Sequence, residues 1–263
     1  SNTPWGSVCT FARSPSTCGM TRKMSKGVVL TDQTYVVIGG TSGIGFELSK
    51  AIVERGDRVI LTGRDEARAQ EIATSIGEGA TGLGLDLADP QTVAERLSSV
   101  GEVHGLVLAG VERDSNTAKE FNIERATRLA TLKLVGYVET VHALLDRMPQ
   151  NASTGIVMFG GVARHRPYPG SLTVSTVNGG VEGMVTALAL ELGPIRVNAL
   201  HPGIIGDSPF WADKKTALEG YRSRTPGGEL ATMRDVVGAA LFLLDNRGVS
   251  GEVLNVNRAT MTA

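Results

Sequence analysis

The chain has 263 residues, 41% hydrophobic and 20% charged, with a formal net charge of −1, the profile of one ordinary globular domain. No uninterrupted apolar run approaches the roughly 18 residues of a membrane span, so nothing points to a bilayer and the sequence reads as cytoplasmic. Four of the 26 basic residues, Arg13, Arg22, Lys23 and Lys26, precede the first acid, Asp32; the other 22 face 27 acids, which leaves no general basic footprint for nucleic acid.

Residues 1–26 are rich in Ser, Thr and Pro, contain no acid and show no sustained periodicity. They read as a disordered leader or an appended tail, and residues 27–263 as a single dinucleotide-binding domain. Both cysteines, Cys9 and Cys18, fall in the leading segment, so neither a disulfide nor a cysteine zinc site is expected in the domain, and no metal site is assigned.

The stretch from Tyr35 to Gly45 organises the rest of the chain. An apolar, β-branched run over 34–40 reads as a strand, residues 43–55 have helical apolar spacing, and 58–62 read as the next strand. Glycines 39, 43 and 45 suit a tight turn, a close approach to a pyrophosphate and a helix packed against the sheet, while the free N–H groups of the helix start attract the anion. This βαβ setting points to a dinucleotide held by Gly39, Thr41, Ser42, Gly43, Ile44 and Gly45.

The alternation continues with a helix over 65–76, a strand over 81–87 and a helix over 90–99. The short apolar runs at 105–110 and 155–161 have the character of strands buried on both faces of a parallel sheet, with a long helix over about 119–147 between them. A helix over about 173–192, a strand over 195–200, a helix near 232–244 opened by a Thr232/Asp235 capping box, and a strand over 252–257 complete seven strands. The fold class is therefore α/β: one Rossmann-type, doubly wound domain with a seven-stranded parallel sheet and helices on both faces. Residues 204–229 break the rhythm with Gly, Pro, Phe210, Trp211 and two lysines after a strand's carboxyl end, and read as a substrate lid.

From about residue 30 onward the order of pieces resembles the short-chain dehydrogenase/reductase family. Gly39, Gly43 and Gly45 match its glycine turn; Asp86-Leu87 match the acidic position that holds adenine; Ala109-Gly110 match the end of its Asn-Asn-Ala-Gly; and residues 183–203 resemble its helix, strand and Pro202-Gly203 turn. The resemblance implies a nicotinamide cofactor, with Asn178, Pro202, Gly203 and Ile205 also in the cofactor site, and a homo-oligomer built on apolar stripes at Leu134, Val138, Val141 and Leu145 and at Val181, Met184, Ala187 and Leu188.

The family's Ser, Tyr and Lys positions fall on Gly161, Val174 and Asn178, and its helix Asn on Lys133, while Val107 and Leu108 stand for the two asparagines. A valine exchanges no proton, so fold and cofactor carry over better than the reaction. Amide and ammonium look exchanged between positions 133 and 178, which leaves Lys133 as a candidate for stabilising a developing alkoxide, with His165 and Tyr168 as candidate proton donors in the loop after the fifth strand. Tyr137 shares the face of Lys133 but is expected in the core or an interface, on a turn leading away from the strand ends. Glu112, Arg113 and Asp114 are weaker candidates. Arg64, with no acid before it at the end of the second strand, favours NADP(H) over NAD(H). The expected activity is reduction of a small or polycyclic carbonyl substrate. The alternatives are a non-redox enzyme of the same fold (isomerase, dehydratase or cyclase) or a catalytically silent NADP-binding sensor.

Overall fold

The computed structural model describes residues 33–260; the expected leader and both cysteines lie outside them. Seven strands, β1 (Thr34–Ile38), β2 (Arg58–Gly63), β3 (Ala80–Gly84), β4 (Gly105–Leu108), β5 (Gly155–Phe159), β6 (Arg196–Pro202) and β7 (Val253–Val256), form one sheet in the order β3-β2-β1-β4-β5-β6-β7. Every pairing is parallel. The chain winds outward in one direction from β1 to β3 and in the other from β4 to β7, so the sheet's switch point lies between β1 and β4, where their carboxyl ends part.

The central strands alternate in which core they serve. Val36, Ile38, Leu106, Leu108, Ile156 and Met158 face one layer; Tyr35, Val37, Val107, Val157 and Phe159 face the other. Both layers are covered, which is why these strands are uninterrupted apolar runs rather than alternating ones. One cover is made by α5 (Tyr137–Leu144) and α6 (Leu172–Glu191), through Tyr137, Val141, Leu144, Val181, Val185 and Leu188, with α4 (Ile123–Ala130) packed beside α6. The other is made by α1 (Gly43–Glu54) and α8 (Met233–Asp245), through Leu48, Ile52, Val236, Ala240 and Leu243. Val141, Val181 and Leu188 of the two apolar stripes thus serve their own sheet, whereas Val138 stays at the surface.

Capping explains several boundaries. Asp65 accepts the Arg68 N–H and opens α2 (Glu66–Ile76), Asn122 accepts the Arg125 N–H and opens α4, and Thr232 with Asp235 forms the capping box that opens α8. Other expected elements are shorter. The third strand stops at Gly84 instead of running to Leu87, which releases Leu85 to Leu87 toward the switch point. The helix expected over 90–99 is a 3-10 turn (Pro90–Thr92) followed by α3 (Val93–Arg96). The long helix is interrupted: between α4 and α5 the residues Thr131–Gly136 form a π-turn, and after α5 it closes in a 3-10 turn. Residues 204–229 carry a 3-10 turn (Pro209–Trp211) and α7 (Lys215–Arg222). Among the described residues no helix is long and apolar enough to cross a membrane.

Glycines report where elements press hardest. A Cβ on Gly82 would stand 2.2 Å from the Ala69 backbone, so α2 lies directly on β3, whereas one on Gly183, mid-helix in α6, would meet nothing within 4 Å. Gly82→Ala should therefore lower the unfolding free energy by about 1–3 kcal/mol through overpacking, and Gly183→Ala should raise it by up to about 1 kcal/mol through helix propensity. Urea unfolding of the two variants reads both signs, and a neutral Gly82→Ala would contradict this account of the α2–β3 contact.

Candidate active site

A cleft of about 680 Å3 opens above the switch point, at the carboxyl ends of the strands. It is built first from the turn after β1. Gly39 leaves the strand with φ +85°, and its N–H and that of Gly40 bond to Thr62 in β2, at 3.3 Å to Oγ1 and 2.9 Å to the carbonyl oxygen. A Cβ on Gly39 would stand 2.8 Å from the Gly110 nitrogen, and one on Gly45 would stand 2.2 Å from the Gly39 oxygen. Backbone meets backbone at both places. Gly43 differs: its φ is +56° and no atom lies within 4 Å of where its Cβ would be. Beside it, Ser42 caps α1 with no side-chain hydrogen bond, and the first turn carries no acid. Open space, unclaimed helix N–H groups and no competing carboxylate fit the diphosphate of a dinucleotide.

At the end of the cleft flanked by β2 and β3, charged side chains form a chain of ion pairs. Arg64 Nη1 donates to Glu112 Oε1 at 3.0 Å, Arg128 grips Glu112 at 2.8–3.0 Å, and Arg128 Nη2 also donates to both oxygens of Asp86, at 3.1 and 2.9 Å. Although burial opposes it, the bonds from Arg128 and the Ala88 N–H hold the Asp86 carboxyl below its usual range; the two carboxylates hold the Arg128 guanidinium firmly charged. Asp65, by contrast, is occupied in capping α2. The partner of Arg64 comes from the loop after β4, so the absence of an acid in its own turn does not leave it unpaired.

The floor of the cleft carries Lys133, which is fully buried at 2% exposure instead of solvated. The π-turn puts it there. A Cβ on Gly136 would stand 2.2 Å from the Leu87 oxygen, so this stretch of helix presses onto the segment released by the short β3. The wider i→i+5 turn brings residues four apart almost into line. Lys133 Nζ donates to Tyr137 Oη and to the Phe159 carbonyl, each at 2.6 Å, and Tyr137 Oη donates to the Gly110 carbonyl at 2.9 Å. Tyr137 is indeed in the core, yet its phenol points at the ends of β4 and β5, contrary to the direction expected for its turn. The π-turn re-aims it. Burial alone pushes the lysine pKa down to about 7 and the phenol's well above its ordinary value.

All the residues assigned to the dinucleotide line this one cleft: Gly39, Thr41 to Gly45, Arg64, Asp86, Leu87, Ala109, Gly110, Asn178, Pro202, Gly203 and Ile205. Gly161, Val174, Lys133 and Tyr168 line it as well. His165 does not. It is exposed and its Nε2 lies 3.7 Å from Glu182 Oε1, because the 3-10 turn Val162–Arg164 faces it outward. That removes His165 as a proton donor to the cleft. Three participants escaped the sequence: Arg128, which has no motif; the ion-pairing role of Glu112; and His201 in β6. The last is fully buried, its Nδ1 accepting the Gly161 N–H at 2.9 Å, and burial lowers its pKa to about 4. Only its place beside Pro202-Gly203 at a strand end signalled it.

A doubly wound sheet with a glycine turn and an anion-ready helix start at its switch point defines a dinucleotide-binding protein of Rossmann type. A family model described as Enoyl-(Acyl carrier protein) reductase matches residues 39–258. The chain is 31% identical over 233 residues to the 3-oxoacyl-[acyl-carrier-protein] reductase of Bos taurus, covering 86% of this chain and 97% of that one. It is 30% identical over 230 residues to carbonyl reductase family member 4 of Danio rerio, covering 84% and 95%. Among solved structures, the MalC reductase/Diels-Alderase of Malbranchea aurantiaca superposes with a TM-score of 0.81 at 23% identity over 90% of this chain and 98% of that one, a likeness of fold. The chain belongs to the short-chain dehydrogenase/reductase family, and its homologues are oxidoreductases.

The buried lysine makes stability depend on pH. Its folded pKa of about 7 lies below the ordinary 10.5 of the unfolded chain, so folding releases a proton between those values. The burial penalty is complete below pH 7 and is relieved as pH rises from about 7 to 10.5. Lys133→Met should accordingly gain more stability over the parent at pH 6.5 than at pH 9.5 in urea unfolding; a pH-independent difference would contradict the shift.

Proposed function

We propose that this protein is an NADPH-dependent carbonyl reductase in which Lys133, and not a tyrosine, serves the substrate oxygen. The observation that carries the reading is the Lys133 ammonium at the cleft floor, held by Tyr137 and Phe159 with a pKa pushed to about 7. The names of the relatives, carbonyl reductase and 3-oxoacyl-[acyl-carrier-protein] reductase, support a ketone as the reducible group.

When bound, NADPH supplies the hydride for the carbonyl carbon. The glycine turn and the start of α1 would hold its diphosphate, and Asn178 with Pro202-Gly203 would complete the wall around it. Lys133 stabilises the oxygen. An ammonium has three N–H groups, and two are committed to Tyr137 and Phe159, which leaves one for a developing alkoxide. A pKa near 7 lets the same group release its proton at neutral pH, and the Tyr137 hydroxyl, which accepts one ammonium N–H and donates to the Gly110 carbonyl, holds it in place. By the motif spacing read from the sequence, we place Gly161, Val174 and Asn178 at the family's Ser, Tyr and Lys positions, and on that reading Lys133 supplies a charge where the usual acid is missing.

Arg64 is the basis for choosing NADPH. One of its nitrogens meets Glu112 and the side chain is otherwise exposed, which leaves donors for a 2′-phosphate. Arg64→Ala should cost about 1.5–3 kcal/mol of NADPH affinity with little change for NADH, as measured by fluorescence titration; equal losses would remove the phosphate assignment.

Single-turnover reduction of a carbonyl panel tests the chemistry. Lys133→Ala should lower the rate about 100-fold while NADPH binding stays nearly intact, and the parent rate should fall as pH rises through about 7, where the ammonium is lost. An unchanged Lys133→Ala rate would leave Tyr168 or water as the proton source. No turnover by the parent across the panel would favour a non-redox enzyme or a silent NADP-binding sensor.

A further inference from the structure

One wall of the cleft carries aromatic rings with cations on them. Phe210 lies edge-on to Trp211 with centroids 4.8 Å apart, and Trp211 lies edge-on to Tyr221 at 5.5 Å. The Arg113 guanidinium carbon stands 3.2 Å from the Phe210 centroid, and Lys214 Nζ stands 3.1 Å from it and 5.7 Å from that of Trp211. These rings come from the segment after β6, while Arg113 comes from the loop after β4, so two distant stretches of chain meet with the two cations on opposite faces of one ring.

Neither cation is given a carboxylate among the described residues. Asp114, next to Arg113, is buried and bonded to Asn116, with Arg125 at 3.8 Å. Glu219 of α7 pairs with Arg222, and Asp207 accepts the Met233 N–H. The acids that line the cleft are Asp86 and Glu112, both held by Arg128. Burial lowers the Arg113 pKa, and the only charge partner that raises it is the Tyr168 phenol. A guanidinium stacked on a ring, partly desolvated and without a counter-ion, draws an anion and receives a carboxylate in a two-point fork.

We infer that the substrate is anionic: a carbonyl compound with an apolar or aromatic body that packs on Trp211 and Tyr221 and a carboxylate that docks on the Arg113 guanidinium. The carbonyl half of this inference rests on the reductase reading; the carboxylate half stands on this wall alone. The two halves are therefore tested separately.

For the anion, the full chain with NADP+ present is titrated calorimetrically with 3-phenylpropanoate and with 3-phenylpropanamide, which share the ring and differ in charge. The acid should bind roughly tenfold more tightly or better, the factor for a hydrogen-bonded charge. Arg113→Gln should erode that preference without changing amide or NADPH affinity, Arg113→Lys should keep part of it, and Lys214→Gln, across the Phe210 ring, should leave it unchanged. Equal affinities for acid and amide, or no binding of either in the millimolar range, would overturn the anion site. Loss of NADPH affinity in Arg113→Gln would assign that arginine to the cofactor and overturn it as well. For the carbonyl, benzoylacetate and its ethyl ester are offered with NADPH. Preferred reduction of the acid supports both halves. Reduction of both at equal efficiency keeps the reductase and overturns the carboxylate, whereas preferential binding of the acid with no reduction keeps the anion site and counts against the reductase.

Discussion

The molecule depends on a place where three backbone segments touch with no room for a side chain. Gly39 at the end of β1 lies against Gly110 after β4 and against Gly45 in the first turn of α1, with a hypothetical Cβ 2.2–2.9 Å from those atoms. Because β1 and β4 are in register through Ile38 and Leu108, the two strands end together, and the chain must leave them in opposite directions. The glycines let that parting happen at contact distance, so the start of α1 becomes the rim of a cleft. At Gly43 the same turn faces open space, which is where a phosphate finds N–H donors instead of carbon.

A second constraint acts across the sheet's other cover. β3 ends at Gly84, and the Leu87 carbonyl just beyond it is met by Gly136 of the long helix. An α-helix carried straight through would direct position 133 differently; the π-turn at Thr131–Gly136 aligns Lys133 with Tyr137 and drives both toward the ends of β4 and β5. Burying an ammonium among Leu132, Phe159 and the strand ends is unfavourable, and two short hydrogen bonds offset only part of the cost, as the depressed pKa records. A group so destabilised yet retained at a cleft floor is what functional sites characteristically hold.

Charge around the cleft is divided between two networks. Asp86 and Glu112 are neutralised by Arg128, and Arg64 joins them from the surface. Arg113 and Lys214 instead rest on the two faces of Phe210, while Asp114 and Glu219 are bonded elsewhere. One network is nearly balanced and the other is left positive, a difference that acts on a charged ligand as it approaches.

Much of the fold was legible in the chain because it rests on local rules. Apolar runs of strand length, glycines at 39, 43 and 45, and the Thr232/Asp235 box each declare one element from its own residues, and their alternation implies a parallel doubly wound sheet. The convergence of these residues on one cleft was legible for the same reason, since strand ends at a switch point converge whatever the side chains. Three things needed the tertiary structure. The burial of Lys133 depends on a π-turn enforced by Gly136 against a carbonyl 49 positions earlier. The partners of Arg64 and Asp86 are Glu112 and Arg128, remote in sequence and joined only when β2, β3, β4 and α4 are stacked. His165 reads as a donor in the chain, but a 3-10 turn of three residues faces it outward. In each case the direction of a side chain was at stake, and direction is settled by packing between segments far apart in sequence, which hydrophobic period and turn chemistry do not encode.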